Sequence, residues 1–157
     1  MSDSQVVHNT FVLEKSYPQG PEKVWAAFAQ PERKRKWFAE GDHEMQQYEL
    51  DFRVGGTEML KYRFKEGHPI AGMAIENAGR YLDIAPGQRI VTAATMSLNG
   101  KLMSATLLTV EFAASGSGTA VTLTHQGAFV EWADGSKMLE VGWTTLLAKV
   151  AEQLAAA

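Results

Sequence analysis

The sequence predicts an α+β fold in which a curved antiparallel sheet of six to seven strands wraps around one long C-terminal helix, with two short helices after the first strand. Three observations carry this. Runs with a period of two, separated by glycine-rich turns, fill most of the chain from Tyr48 to Gln126. After them comes one stripe at helical spacing: Leu139, Trp143, Leu146, Leu147, Val150 and Leu154. The third is a mismatch of size. A helix of about 18 residues is about 27 Å long and 10 Å wide, whereas six strands 4.8 Å apart span about 29 Å. One helix cannot cover that sheet flat, so the sheet must curl around it and leave a hollow for side chains or a ligand to fill.

Each element follows from local chemistry. Thr10 to Ser16 alternates Phe11 and Leu13 against Val12 and Glu14, a first strand, which Pro18, Gly20 and Pro21 end. Pro21 suits a first helical position, Glu22 suits the positive N-terminus, and Val24 and Phe28 share a face, so a short helix runs to Pro31. A second short helix, Glu32 to about Lys36, delivers Trp37 and Phe38 at its exit, and Ala39 to Met45 reads as loop. Tyr48, Leu50 and Phe52 alternate with charged residues in the next strand, and Gly55-Gly56 turns it into Thr57 to Phe64. Ile70 to Ile84 reads as one long or bulged strand, with Gly72 and Gly79 as the places for bulges. Arg89 to Leu98 and Lys101 to about Ala113 flank Asn99-Gly100, the strongest hairpin signal in the chain. Thr119 to Gln126 is the last strand. Asp134-Gly135-Ser136 then caps a helix from Lys137 to Leu154.

The bulk properties exclude several function classes. With 157 residues the chain has the length of one ordinary domain, and residues 1–157 are read as a single one. A net charge of −3 argues against a nucleic-acid partner. No apolar run approaches a membrane span, and the N-terminus, MSDSQVVHNT, shows no signal segment. The absence of cysteine excludes disulfides, thiolate catalysis and thiolate metal sites and fits a cytoplasmic location. The basic run Arg33 to Lys36 reads as a solvated helix turn rather than a phosphate or lipid-headgroup patch.

Little in the sequence has the pattern of catalysis. Gly116 and Gly118 form a G-x-G between two strands with no helix after it, which is turn chemistry, and no phosphate loop occurs. The four histidines lack metal-ligand spacing, so no metal and no cofactor are expected. His125 differs, because alternation puts it on the concave face with Val121 and Leu123, where it reads as a core or rim residue before a base. Ser104 and Thr106 share the inner face with Leu108, Val110 and Phe112 and read as hydrogen-bond handles in an apolar pocket. Glu49 and Asp51 point to solvent, and Glu76 and Asp83 become candidates only if bulges turn them inward. Trp37 and Phe38 are placed either as a lid over the open end or as a plug. Gly142, inside a helix where glycine costs about 1 kcal/mol, either admits a neighbouring backbone or opens a cavity wall.

Gly72-Met-Ala, Gly79-Arg-Tyr-Leu-Asp-Ile, Arg89-Ile-Val, Thr124-His-Gln-Gly-Ala-Phe and Gly142-Trp143 before a leucine-rich helix resemble the START-like, SRPBCC or helix-grip superfamily. Val24-Trp25, Phe28 with Pro31, and Trp37-Phe38 extend the match from about Phe11 to Leu154. The branch it resembles contains the calicheamicin self-resistance protein and the domain related to the activator of Hsp90 ATPase. These motifs are structural, so they imply fold more firmly than activity. The resemblance implies a hydrophobic cavity for a lipid, polyketide or other apolar molecule. The candidate lining residues are Trp37, Phe38, Phe52, Tyr62, Phe64, Met96, Ser104, Thr106, His125, Leu139, Gly142 and Trp143. A binding module is the favoured expectation. The alternatives are a polyketide cyclase or dehydratase using His125, Ser104 or Tyr62 to handle protons, and an Hsp90 partner module. Unpaired strand edges also leave room for a homodimer.

Overall fold

A computed structural model describes residues 5–156. Residues 1–4 of the N-terminal stretch read above, and Ala157 of the alanine tail, lie outside the described residues. The chain runs β1 (Val6–Tyr17), α1 (Pro21–Ala29), α2 (Pro31–Lys34), a π-helical turn (Arg35–Ala39), β2 (Glu44–Leu50), β3 (Thr57–Arg63), β4 (Ala74–Ala85), β5 (Arg89–Leu98), β6 (Lys101–Ser115), β7 (Gly118–Val130) and α3 (Gly135–Ala156). The seven strands form one curved, open antiparallel sheet in the order β1-β7-β6-β5-β4-β3-β2, gripping α3 in an α+β helix-grip fold. Because β1 and β2 are opposite edges, α1, α2 and the π-helical turn carry the chain from one edge to the other.

Proline and glycine set the corners. Pro21 and Pro31 open α1 and α2, and Gln30 between them is extended, as a residue before proline tends to be. Asn99 (φ 49°) and Gly100 (φ 80°) both adopt the left-handed conformation that a two-residue hairpin needs.

Several boundaries differ from the sequence reading. β1 starts at Val6 and β7 reaches Val130, because the two strands pair residue by residue from Val6–Val130 to Tyr17–Thr119. Backbone pairing thus continues past the point where side-chain alternation fades. β2 begins at Glu44, inside the segment read as loop. The strand read from Ile70 starts at Ala74; the residues before it form turns, closed by a Gly72 N–H donated to the Phe64 carbonyl at 3.2 Å. Neither Gly72 nor Gly79 makes a bulge. The register of β4 shifts between Tyr81 and Asp83 instead, and Asp83 pairs with Arg89 at 2.6 Å in a partly exposed ion pair.

The core gathers at the C-terminal half of α3. Leu147, Val150 and Leu154 are buried against Val24 and Phe28 of α1 and against Phe112, Val121 and Leu123 of the sheet. Each such side chain contributes about 1.5–3 kcal/mol. The Tyr17 hydroxyl donates to the Leu147 carbonyl at 2.8 Å, and the Gln153 amide donates to the Arg33 carbonyl at 2.9 Å. The N-terminal half is packed differently, since Leu139, Trp143 and Leu146 are only partly buried. One end of α3 is held and the other spans a hollow.

Candidate functional site

The hollow has a cause in strand register. Antiparallel partners share a face, so one row across the concave surface reads Glu58, Gly79, Ala94, Thr106, Gly127 from β3 to β7. Gly79 and Ala94 carry a hydrogen and a methyl group and leave a trough in the middle of the sheet, whereas the room above Gly127 is taken by the rings of Phe129 and His125. The flanking rows are bulkier: Leu60, Asn77, Met96, Ser104 and Phe129 on one side, and Tyr81, Thr92, Leu108, His125 and Phe11 on the other. Over the trough passes α3 with Gly142 in its wall, where a Cβ would meet no atom within 4 Å. The result is a cavity of about 200 Å³ between sheet and helix.

Phe38, Tyr62, Met96, Ser104, Thr106, His125, Leu139, Gly142 and Trp143 all line it. Trp37, Phe52 and Phe64 do not. Trp37 is 1% exposed and turned into the core, its indole N–H donated to the Ala27 carbonyl at 2.8 Å, because the π-helical turn rotates it beneath Phe28. Phe52 lies past the end of β2, edge-on to Trp25 and Tyr81. Phe64 leaves the sheet after β3 and stacks on His68, with centroids 3.9 Å apart. Of the aromatic pair, Trp37 is therefore the plug and Phe38 the wall. Gly142 opens the wall rather than admitting a backbone.

The wall also contains a charged pair that sequence reading missed. Lys34, taken as part of a solvated basic turn, is buried, because α2 and the π-helical turn point it inward. Its ammonium lies 2.7 Å from Glu58 Oε2 and donates to Glu58 Oε1 at 2.8 Å. The Tyr48 hydroxyl donates to Glu58 Oε2 at 2.6 Å, and the Tyr81 oxygen accepts from Lys34 at 3.4 Å. The ammonium also sits 4.5 Å from the Phe38 ring centroid. Burial alone would pull the lysine down, but Glu58 and Tyr81 more than reverse this and hold it above its ordinary value. Burial pushes up the Tyr48 and Tyr81 hydroxyls, and the Tyr62 hydroxyl to about 12. Strand alternation holds the missed signal. Glu58 is two residues before Leu60 and four before Tyr62, so it falls on the apolar face.

His125 occupies the opposite end of the sheet order from Glu58, in a ring-on-ring stack with Phe11 (centroids 4.6 Å, planes 9° apart). Its Nε2 lies 3.3 Å from Thr106 Oγ1. Burial pushes the imidazole down to about 4, so it is neutral at pH 7. Among the described residues, no hydrogen bond joins His125, Ser104 and Tyr62 to one another, and no group of three His, Asp or Glu could hold a metal ion. No helix among them is long and apolar enough to cross a membrane. The chemistry on offer is a mainly apolar enclosure with a neutral ion pair and a neutral imidazole in its walls.

Known proteins share this architecture. The chain is similar to the Mll3558 protein from Rhizobium loti, at 40% identity over 95% of this chain and 99% of that one, with a TM-score of 0.85. It is also similar to a protein from Rhizobium leguminosarum, at 32% identity over 99% and 100% of the two chains and a TM-score of 0.90. CalU16 from Micromonospora echinospora shares the fold at 18% identity, covering 97% of this chain and 85% of that one, with a TM-score of 0.66. No curated protein matches the sequence. The family model described as activator of Hsp90 ATPase homolog 1-like protein matches residues 19–155, from the turn before α1 almost to the end of α3, and the chain belongs to that family of the START-like superfamily.

Proposed function

We propose that this protein binds a small, mainly apolar molecule in the cavity between the sheet and α3, and that it carries or sequesters the molecule without covalent chemistry. One observation supports this above the others: a cavity of about 200 Å³ between sheet and helix that the protein's own side chains leave open. An engineered apolar cavity of about 150 Å³ takes up benzene, so this one suits a body of one or two rings or a short chain. Of the lipids, polyketides and other apolar molecules that the fold resemblance implies, the size favours compact ones. The lining supports binding over catalysis, because the candidate proton handlers His125, Ser104 and Tyr62 are not hydrogen-bonded to one another. The cavity is also a feature of this chain's own packing, and for that reason we assign function to it and not to a chaperone surface.

Native mass spectrometry and ligand-detected NMR against a panel of ring-sized apolar compounds test the reading. Saturable 1:1 binding is expected. Gly142→Leu, which grows a side chain where no atom stands within 4 Å, should weaken that binding while leaving the protein folded. Absence of any binder across the panel overturns the proposal.

A further inference from the structure

One polar residue of the cavity wall has no task within the fold. Asn77 lies on the concave face of β4, in register with Leu60 of β3 on one side and Met96 of β5 on the other, both apolar. Its side chain is half-buried and lines the cavity. The amide makes no hydrogen bond among the described residues, yet it is not sealed off. The buried side-chain polar atoms that lack a partner there are Gln19 Oε1, His125 Nδ1 and Gln153 Oε1. Both polar atoms of Asn77 therefore open onto free space, and on the concave face that space is the cavity.

An amide in an apolar row is costly unless something completes its hydrogen bonds. Its neighbours on β3 do not. Glu58 pairs with Gly79 and Tyr62 with Ile75, so each stands diagonally across from Asn77, about 7–8 Å away. Glu58 is taken by Lys34 and Tyr48 instead.

The missing partner has a definable chemistry. A side-chain amide presents an N–H donor and a carbonyl acceptor side by side. A ketone or an ester would answer only the donor. A second amide answers both at once, whichever way the Asn77 amide is turned. A carboxylate would have to be matched by a cation, and Lys34, the cation of the cavity wall, is already committed to Glu58.

We propose that the cavity selects a neutral ligand with a ring-sized apolar body and an amide or lactam group, which pairs with the side chain of Asn77. This rests on the binding reading above and narrows it to a ligand class.

Benzamide and α-methylstyrene test it, because they share a shape and differ by an amide in place of an isopropenyl group. In a purely apolar hole the amide loses its water without compensation, with or without Asn77. Asn77→Leu keeps the size of the side chain and removes both polar atoms. By NMR titration it should shift the affinity ratio of the two compounds by about tenfold toward α-methylstyrene. A ratio cancels any change of cavity volume that affects both alike. Nitrogen-15 NMR of the wild-type protein provides a reading that needs no variant: the side-chain amide signal of Asn77 should move more with benzamide than with α-methylstyrene. If α-methylstyrene binds while the ratio stays unchanged and the Asn77 signal ignores benzamide, this inference is overturned and the binding reading stands. Failure of both compounds also overturns it, and failure of the whole apolar panel overturns the binding reading with it.

Discussion

Lys34 Nζ stands 2.7 Å from Glu58 Oε2, and the two side chains keep only 11% and 10% of their exposure. An ion pair so far removed from water is weak evidence for stability, because desolvating both charges costs about as much as their attraction returns. Its effect is positional. It ties α2 to β3, and Tyr48 and Tyr81 complete its hydrogen bonds.

Removing one partner should therefore be far worse than removing both. Lys34→Met is expected to destabilise the protein by about 3–5 kcal/mol, since it leaves the Glu58 carboxylate buried and uncompensated. Lys34→Met combined with Glu58→Leu should recover most of that loss. Urea denaturation of the single and double variants at pH 7 measures the difference. The lysine is held above its ordinary 10.5, so its own contribution is lost as pH rises beyond that value.

The acid limb of stability should depend on His125. Its folded value of about 4 lies below the ordinary 6.5, so folding favours the neutral ring. The contribution is fully present above pH 6.5, is lost as pH falls toward 4, and reaches about 3 kcal/mol. Carboxylates also titrate in this range, so the comparison must be with a variant. His125→Phe should show a smaller loss of stability between pH 7 and pH 4.5 than the wild type. Equal losses in the two proteins would place the imidazole in contact with water.

The elements that sequence made legible and those it concealed separate on physical grounds. Asn99-Gly100, the two prolines opening α1 and α2, and the α3 stripe are local features, so composition and spacing reveal them directly. The inner-face placement of Ser104, Thr106 and His125 follows from simple alternation within long regular strands. Lys34 depends on the rotation imposed by a π-helical turn, which no periodicity announces. Phe64 is the reverse case. It keeps the alternation of Leu60 and Tyr62, yet the chain leaves the sheet at Arg63. The trough at Gly79, Ala94 and Thr106 is legible only once the register of β4, β5 and β6 is known, since no two of these residues are neighbours in sequence.

Gly127→Ala should destabilise the protein by about 1–3 kcal/mol, the usual cost of overpacking. The added methyl would stand 2.7 Å from the ring of Phe129, which is fully buried and has little room to retreat. The same methyl crowds His125, so its ring NMR signals should shift more than those of His43 or His68, which lie at the other end of the sheet. Thermal melting and histidine proton spectra check both halves.

Gly142→Ala should act in the opposite sense. The position is helical, its φ is not left-handed, and a Cβ there meets nothing within 4 Å, so the substitution gains helix propensity without a clash. A stabilisation of up to about 1 kcal/mol is expected. The gain should persist in Gly142→Leu, whose larger side chain also reduces the space available to a ligand. A filled interior would predict a loss for leucine through overpacking. The sign of that change, read from urea midpoints of the three proteins without ligand, reports whether the N-terminal half of α3 spans open space in solution.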